Sequence, residues 1–249
     1  MVPPSLTLPW LEPGDPFPDV ATAWGTDSDA PGLLCMGSDL QPHTLQAAYG
    51  RGIFPWFSEG QPTLWWSPDP RMVLQVADFR LHRSLQKTIS RLLQSGRLEV
   101  RIDHVFGEVI QACAHTARRG QPGTWILPEM VRAYGQLHAL GVAHSVETWI
   151  DGELAGGLYC IGLGRAVFGE SMFTRVPDAS KIALTALVAF CRRQGIHMVD
   201  CQQNTPHLAF MGAKEMARNA FLQYVRQARA EAPPTWQFDP VYWDELLSA

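Results

Sequence analysis

The chain has 249 residues, 46% of them hydrophobic, and a formal charge of −4. That supplies core for one large domain or two modest ones, and the acidic balance excludes coating of nucleic acid by bulk electrostatics, so any such affinity must come from a local patch. No apolar run approaches bilayer length, the N-terminus lacks the basic start and apolar block of a signal peptide, and five cysteines without a C-x-x-C pair read as reduced thiols; a cytoplasmic protein with no membrane partner is the expectation.

The first thirty residues, rich in proline, aspartate and glycine, read as an extended strap. Ser38 or Asp39 is the expected N-cap of a short helix running through Leu45 to Tyr49. Between Arg51 and Arg71 follow five large aromatic side chains, Phe54, Trp56, Phe57, Trp65 and Trp66, in a stretch broken by four prolines. A proline-broken segment cannot lay so many rings on one side of a regular element, which leaves some indoles facing loops or solvent, where a flat π-surface beside cations suits stacked bases. The competing reading is that these rings wedge a core shut.

From Arg71 to Arg101, seven basic residues stand against Asp78 and Glu99, a local charge of +5. Within this run Arg83, Lys87 and Arg91 recur every four residues, one face of a helix, while Leu85, Ile89, Leu92 and Leu93 turn elsewhere. That stripe suits phosphates, or is simply a solvated helix face. Helical spacing continues over Val105 to Ala117 and over Pro128 to Leu140, the second opened by proline and closed by Gly141. From His144 the period becomes two: HSVETWI, the Asp151-Gly152 turn and ELAGGLYCIG predict a hairpin, and AVFGESMF a third antiparallel strand. Asp178 or Ser180 caps an apolar helix ended by Gly195, IHMVDCQ returns as a strand, and a final helix is expected from about Lys214 to Ala230. The order predicts an α+β fold with helices packed on a mainly antiparallel sheet.

Three polar side chains fall in strands that should be buried: Glu170 in VFGESMF, and Asp200 and Gln202 in MVDCQ, where alternation puts the last two on one face and Cys201 on the other. A buried carboxylate needs hydrogen bonds or a cationic partner. GESMF has Phe173 where a G-x-S-x-G elbow needs glycine, and no H-E-x-x-H, P-loop or G-x-G-x-x-G occurs. The eight histidines are scattered, with no metal-ligand spacing, and His144, His197 and His207 read as structural. No metal is expected.

The strings RGIFPWF, WWSPDPR, GTWI, FGESMF, ASK and DCQ, in this order and separation, resemble the bacterial leucyl/phenylalanyl-tRNA-protein transferases over Gly32 to about Tyr224. The resemblance implies a small N-terminal domain (1–70) followed by a GNAT-like catalytic domain (71–249), needing no cofactor. It implies transfer of Leu or Phe, and less well Met, from aminoacyl-tRNA to an N-terminal Arg or Lys of a protein, which marks that protein for N-end-rule degradation through a protease adaptor. Carried over residue by residue, the tryptophans of FPWF and GTWI that hold the terminal adenosine are Trp56 and Trp125. Candidates for the aminoacyl side-chain pocket are Leu158, Met172 and Leu184, and Glu170, Asp200 and Gln202 match the polar site. The stripe Arg83, Lys87 and Arg91 is the candidate for tRNA phosphates. Asp200 would orient Gln202, whose carbonyl accepts from the incoming amine, while Glu170 attracts the cationic acceptor or fixes the donor's amino group; the proton carrier is left open, a ribose hydroxyl among the choices. Two alternatives compete: an acyl-CoA N-acetyltransferase, which needs an R/Q-x-x-G-x-G/A loop that the sequence lacks, and a non-catalytic tRNA-binding protein.

Overall fold

The hairpin signal at Asp151-Gly152 is met as the residue types require: φ is +54° at Asp151 and +80° at Gly152, the left-handed pair that a two-residue turn between right-twisted strands demands. In the computed structural model, which describes residues 8–116 and 126–247, it joins two long strands of a mixed α/β fold. In chain order the elements are β1 (Trp10–Leu11), β2 (Leu33–Gly37), α1 (Pro42–Tyr49), β3 (Phe54–Pro55), β4 (Leu64–Trp66), β5 (Arg71–Gln75), α2 (Arg83–Gln94), β6 (Leu98–Ile102), α3 (Phe106–Ala114) and α4 (Pro128–Ala139). Then come β7 (Ala143–Ile150), β8 (Glu153–Leu163), β9 (Ala166–Thr174), α5 (Ala179–Arg193), β10 (Met198–Gln202), α6 (Pro206–Phe210), β11 (Lys214–Met216), α7 (Arg218–Ala228) and α8 (Asp244–Leu247).

The early strands make a four-stranded sheet, β1-β2-β4-β3, and the later ones a seven-stranded sheet, β11-β5-β10-β9-β8-β7-β6. All pairs of the larger sheet are antiparallel except β9 with β10. That parallel pair is short: Val199 faces Val167 and Asp200 faces Phe168, after which β9 runs on while β10 bulges between Asp200 and Gln202, the latter at φ +54°. The sheet therefore opens between its two central strands, as a bulge that ends pairing and bends one strand allows.

Alternation along β8 distributes the core. Leu158 and Cys160 join Ile182, Leu184, Leu187 and Phe190 of α5 on one face, while Tyr159 and Ile161 join Phe106, Tyr134 and the early residues Leu34, Tyr49 and Trp65 on the other. Close approach of α5 to the sheet fixes Gly156, where a Cβ would come within 2.7 Å of Ala179 Cβ. No helix among the described residues is long and apolar enough to cross a membrane.

Four expectations change. The predicted helix from Lys214 splits: Lys214–Met216 becomes an edge strand on β5, because tertiary pairing of an open edge outweighs the helix preference of Lys, Glu and Met, and α7 starts at Arg218. The early helix begins at Pro42, with Gln41 at the N-cap position and no side-chain cap, and Asp39 instead accepts from Gln41 N and Thr44 Oγ1. Of the five rings in the aromatic stretch, Phe54, Phe57, Trp65 and Trp66 are buried in the core, and Trp56 alone stays half-exposed. Antiparallel pairing of the short strands β3 and β4 turns the prolines' interruption into packing. Finally, the +5 run does not form one surface: Arg71 is fully buried, Arg97 pairs with Asp151 and Arg101 with Glu99.

Candidate active site

Where β9 and β10 part, a cavity of about 460 Å³ opens. Its walls include Trp56, Leu158, Gly169, Glu170, Met172, Leu184, Asp200 and Gln202, with Leu187, His207 and Leu208 closing the side toward α5 and α6. Sequence-predicted residues from five segments thus share one space. Trp125 lies outside the described residues. Arg83, Lys87 and Arg91 are not in the cavity; they are exposed along α2, without an ion pair among the described residues, while Leu85, Ile89 and Leu92 pack inward. The start of α2 is tied to α6, two of whose residues line the cavity, because His82, the N-cap of α2, stacks on Phe210 of α6 at 3.8 Å.

Asp200 is 2% exposed, and its two oxygens meet Nε and Nη2 of Arg71 at 2.8 and 2.6 Å. The Arg71 guanidinium also donates to Gly52 O at 3.0 Å and lies between the rings of Phe54 and Phe221, 4.8 and 4.7 Å from their centroids. Such a buried pair is tolerated because the fork is bidentate and each of the three guanidinium nitrogens and both carboxylate oxygens has a hydrogen-bond partner. Asp200 Oδ1 further accepts the backbone N–H of Gln202 at 3.0 Å, holding the bulge. The contact of Asp200 with Gln202 thus runs through the main chain and not through the Gln202 amide. The expected same-face alternation of Asp200 and Gln202 fails at this point, since the bulge resets the strand's facing.

Gln202 is turned across the gap. Its Nε2 donates to Gly169 O at 2.7 Å and reaches Glu170 Oε1 at 3.3 Å, so its amide bridges the two separated strands and leaves the carbonyl oxygen as acceptor. Glu170 also receives the Tyr49 hydroxyl on Oε1 at 2.7 Å and the Tyr134 hydroxyl on Oε2 at 3.3 Å, and the two hydroxyls are hydrogen-bonded to each other. Burial pushes the Glu170 carboxyl up to about 8, with the Asp200 charge acting the same way against the phenol hydrogen bonds and Arg71. Burial, then the Glu170 charge, raises both phenols, which therefore stay neutral donors.

Trp56 also lines the cavity. Its indole meets Trp66 edge-on at 5.3 Å, and Trp66 Nε1 donates to Trp56 O at 2.6 Å, so the ring is held by its own neighbour. Sequence reasoning missed Tyr49, Tyr134 and Arg71 as parts of this cluster. For Arg71 a signal existed, a charged residue opening the apolar strand RMVLQ; for the two tyrosines, 121 and 36 residues from Glu170, none did.

Among the described residues no group of three or more His, Cys, Asp or Glu side chains could hold a metal ion. The family model described as leucyl/phenylalanyl-tRNA protein transferase matches residues 73–226, and that of its N-terminal domain residues 38–69. Curated proteins named leucyl/phenylalanyl-tRNA–protein transferase from Albidiferax ferrireducens, a Polaromonas species and Paraburkholderia xenovorans are 60%, 57% and 54% identical to this chain. In each case 97% of this chain is covered, with 95%, 95% and 98% of the relative. These matches mark the chain as a transferase. The chain belongs to the leucyl/phenylalanyl-tRNA–protein transferase family. Among solved structures, L-PGS from Bacillus licheniformis is alike over 82% of this chain and 65% of its own at 9% identity, with a TM-score of 0.36, too low to assign a fold.

Proposed function

We propose that this protein moves Leu or Phe, and less well Met, from aminoacyl-tRNA to the N-terminal Arg or Lys of an acceptor protein in the cytoplasm, marking it for degradation through a protease adaptor. The observation that carries the reading is the single cavity in which an indole wall, an apolar pocket and a carboxyl–amide cluster meet. Trp56 would stack on the terminal adenosine. Leu158, Met172 and Leu184 would take the aminoacyl side chain, and flexible or γ-branched walls discriminate poorly among Leu, Phe and Met. Gln202, positioned through Asp200, would accept a hydrogen bond from the incoming amine, and Glu170 would receive a cationic group. An aminoacyl ester is already activated, so positioning carries most of the catalysis and no cofactor is called for. In this reading residues 1–70 supply Trp56 and Tyr49 to a GNAT-like domain over 71–249, a description supported by the largely antiparallel sheet that opens at its one parallel pair.

Incubation with labelled Leu-tRNA and peptides differing only in their first residue tests this. Label is expected on peptides beginning with Arg or Lys and on few others. Tight tRNA binding without transfer would point to a non-catalytic binder, and acylation from acyl-CoA would point to an acetyltransferase.

Reversing the charges of Arg83, Lys87 and Arg91 together is expected to weaken tRNA binding and to flatten the plot of log affinity against log salt by about two to three in slope, near one per lost phosphate contact. An unchanged slope in filter binding would return α2 to a solvated face.

A further inference from the structure

We infer that His207 takes the proton of the attacking amine and returns it to the ribose oxygen as the ester breaks. The inference rests on the transferase reading above and supplies the proton carrier which that reading leaves unassigned. A candidate carrier must line the cavity, hold an unshared lone pair and be neutral at working pH. The amide of Gln202 cannot hold a proton. Asp200 lines the cavity, but Arg71 and the Gln202 N–H occupy its oxygens. Glu170 is largely protonated near neutrality and already accepts from Tyr49 and Gln202. Burial pushes the Cys201 thiol up, and Tyr159 is a phenol in the core. His207 is what remains.

Its placement follows from the local sequence. β10 ends at Gln202, Thr205 caps α6 by accepting from Leu208 N at 3.3 Å, and Pro206 occupies the first helical position. That turn folds His207 back into the cavity wall only five residues after Gln202. The side chain is half-buried, and its ring has no hydrogen-bond partner among the described residues. The charged and titratable groups around it come from three elements. On α5, Lys181 is tied at 2.8 Å to Asp178; on β9 stands Glu170; on β10 stand Asp200, neutralised by Arg71, and Cys201. Burial, and after it the Lys181 charge, keeps the imidazole below its ordinary value, which leaves it neutral and able to accept.

The step balances. The neutral amine attacks the ester carbonyl carbon and a C–N bond forms; an amine proton passes to a ring nitrogen of His207. The tetrahedral intermediate collapses, the C–O bond to the ribose breaks, and the imidazolium gives its proton to the departing ribose oxygen. Product amide and free ribose hydroxyl result, with His207 neutral again.

The test compares wild type, His207→Ala and His207→Gln in transfer of leucine from Leu-tRNA to an Arg-initiated peptide. Both variants are expected to keep KM for tRNA and peptide within about threefold and to lose about 10²-fold in kcat, the range for general acid–base groups. Added imidazole is expected to restore His207→Ala in proportion to its neutral fraction. Lys181→Met should raise the imidazole titration seen by NMR and move the acid limb of kcat upward by the same amount; this carries the test even should His207→Ala fail to fold. A wild type that transfers leucine beside a His207→Ala variant of equal kcat overturns the assignment and leaves the transferase reading standing. Loss without imidazole rescue and with an unmoved acid limb also overturns it, since that outcome means His207 only holds the wall.

Discussion

Arg71→Ala is expected to cost about 3–5 kcal/mol of folding stability and to abolish transfer, because it leaves the Asp200 carboxylate buried without its partner. The same holds in mirror image for Asp200→Ala, which strands a guanidinium between Phe54 and Phe221. Urea titration reads the first effect, and transfer from Leu-tRNA below the melting transition reads the second. The double variant Arg71→Met/Asp200→Leu separates the two, since an apolar pair of similar volume often restores stability. Its stability is expected to return to within about 1–2 kcal/mol of wild type while transfer stays lost, because nothing then accepts the Gln202 N–H and holds the bulge. Recovery of transfer in the double variant would show that the carboxylate does not position Gln202.

Glu170→Gln is expected to make the protein more stable than wild type at pH 9 and little different at pH 5. The sign follows from the carboxyl's rise from its ordinary 4.5 to about 8. The folded state holds this proton more tightly than the unfolded chain, so its contribution is fully present below pH 4.5 and is lost as pH rises toward 8. Gln at this position removes the slope, a difference on the order of 3–5 kcal/mol across that window. Thermal melts of both proteins between pH 5 and 9 would show the curves diverging upward in pH; parallel curves would mean that Glu170 is ionised throughout. Transfer by the variant is expected to fall about 10²-fold, since a neutral amide cannot become the anion that an entering cation calls for.

The hairpin, the apolar helix α5 and the strand β10 that follows it were legible because each is specified locally, by a turn that needs positive φ, by helical spacing, and by a short apolar run. The segments that supply Trp56, Leu158, Met172, Leu184, Glu170, Asp200 and Gln202 were legible as strings. What the sequence did not carry is how the cluster is wired. Tyr49 and Tyr134 look like ordinary amphipathic helix residues, and their meeting at Glu170 depends on α1 and α4 packing against the far face of the sheet. Arg71 reads as the first of a basic run, yet it is the counter-ion of Asp200 across 129 residues. The aromatic stretch misled in the opposite direction, because short strands buried four rings whose prolines had suggested exposure. Lys214–Met216 shows the general cause: an unpaired sheet edge is a property of the assembled fold, invisible in three residues that favour helix.

The gap between β9 and β10 would ordinarily invite solvent, since parting two central strands strips carbonyls and amides of their mates. Here side chains replace the missing rungs: the Gln202 amide answers Gly169 O, and the Asp200 carboxylate answers Gln202 N. Two groups on the floor of the opening are thereby satisfied from within the protein. For the activated ester that the proposed reaction would bring there, each such rung is one fewer group that must hold a water molecule, and simple hydrolysis is the reaction that competes with every productive turnover.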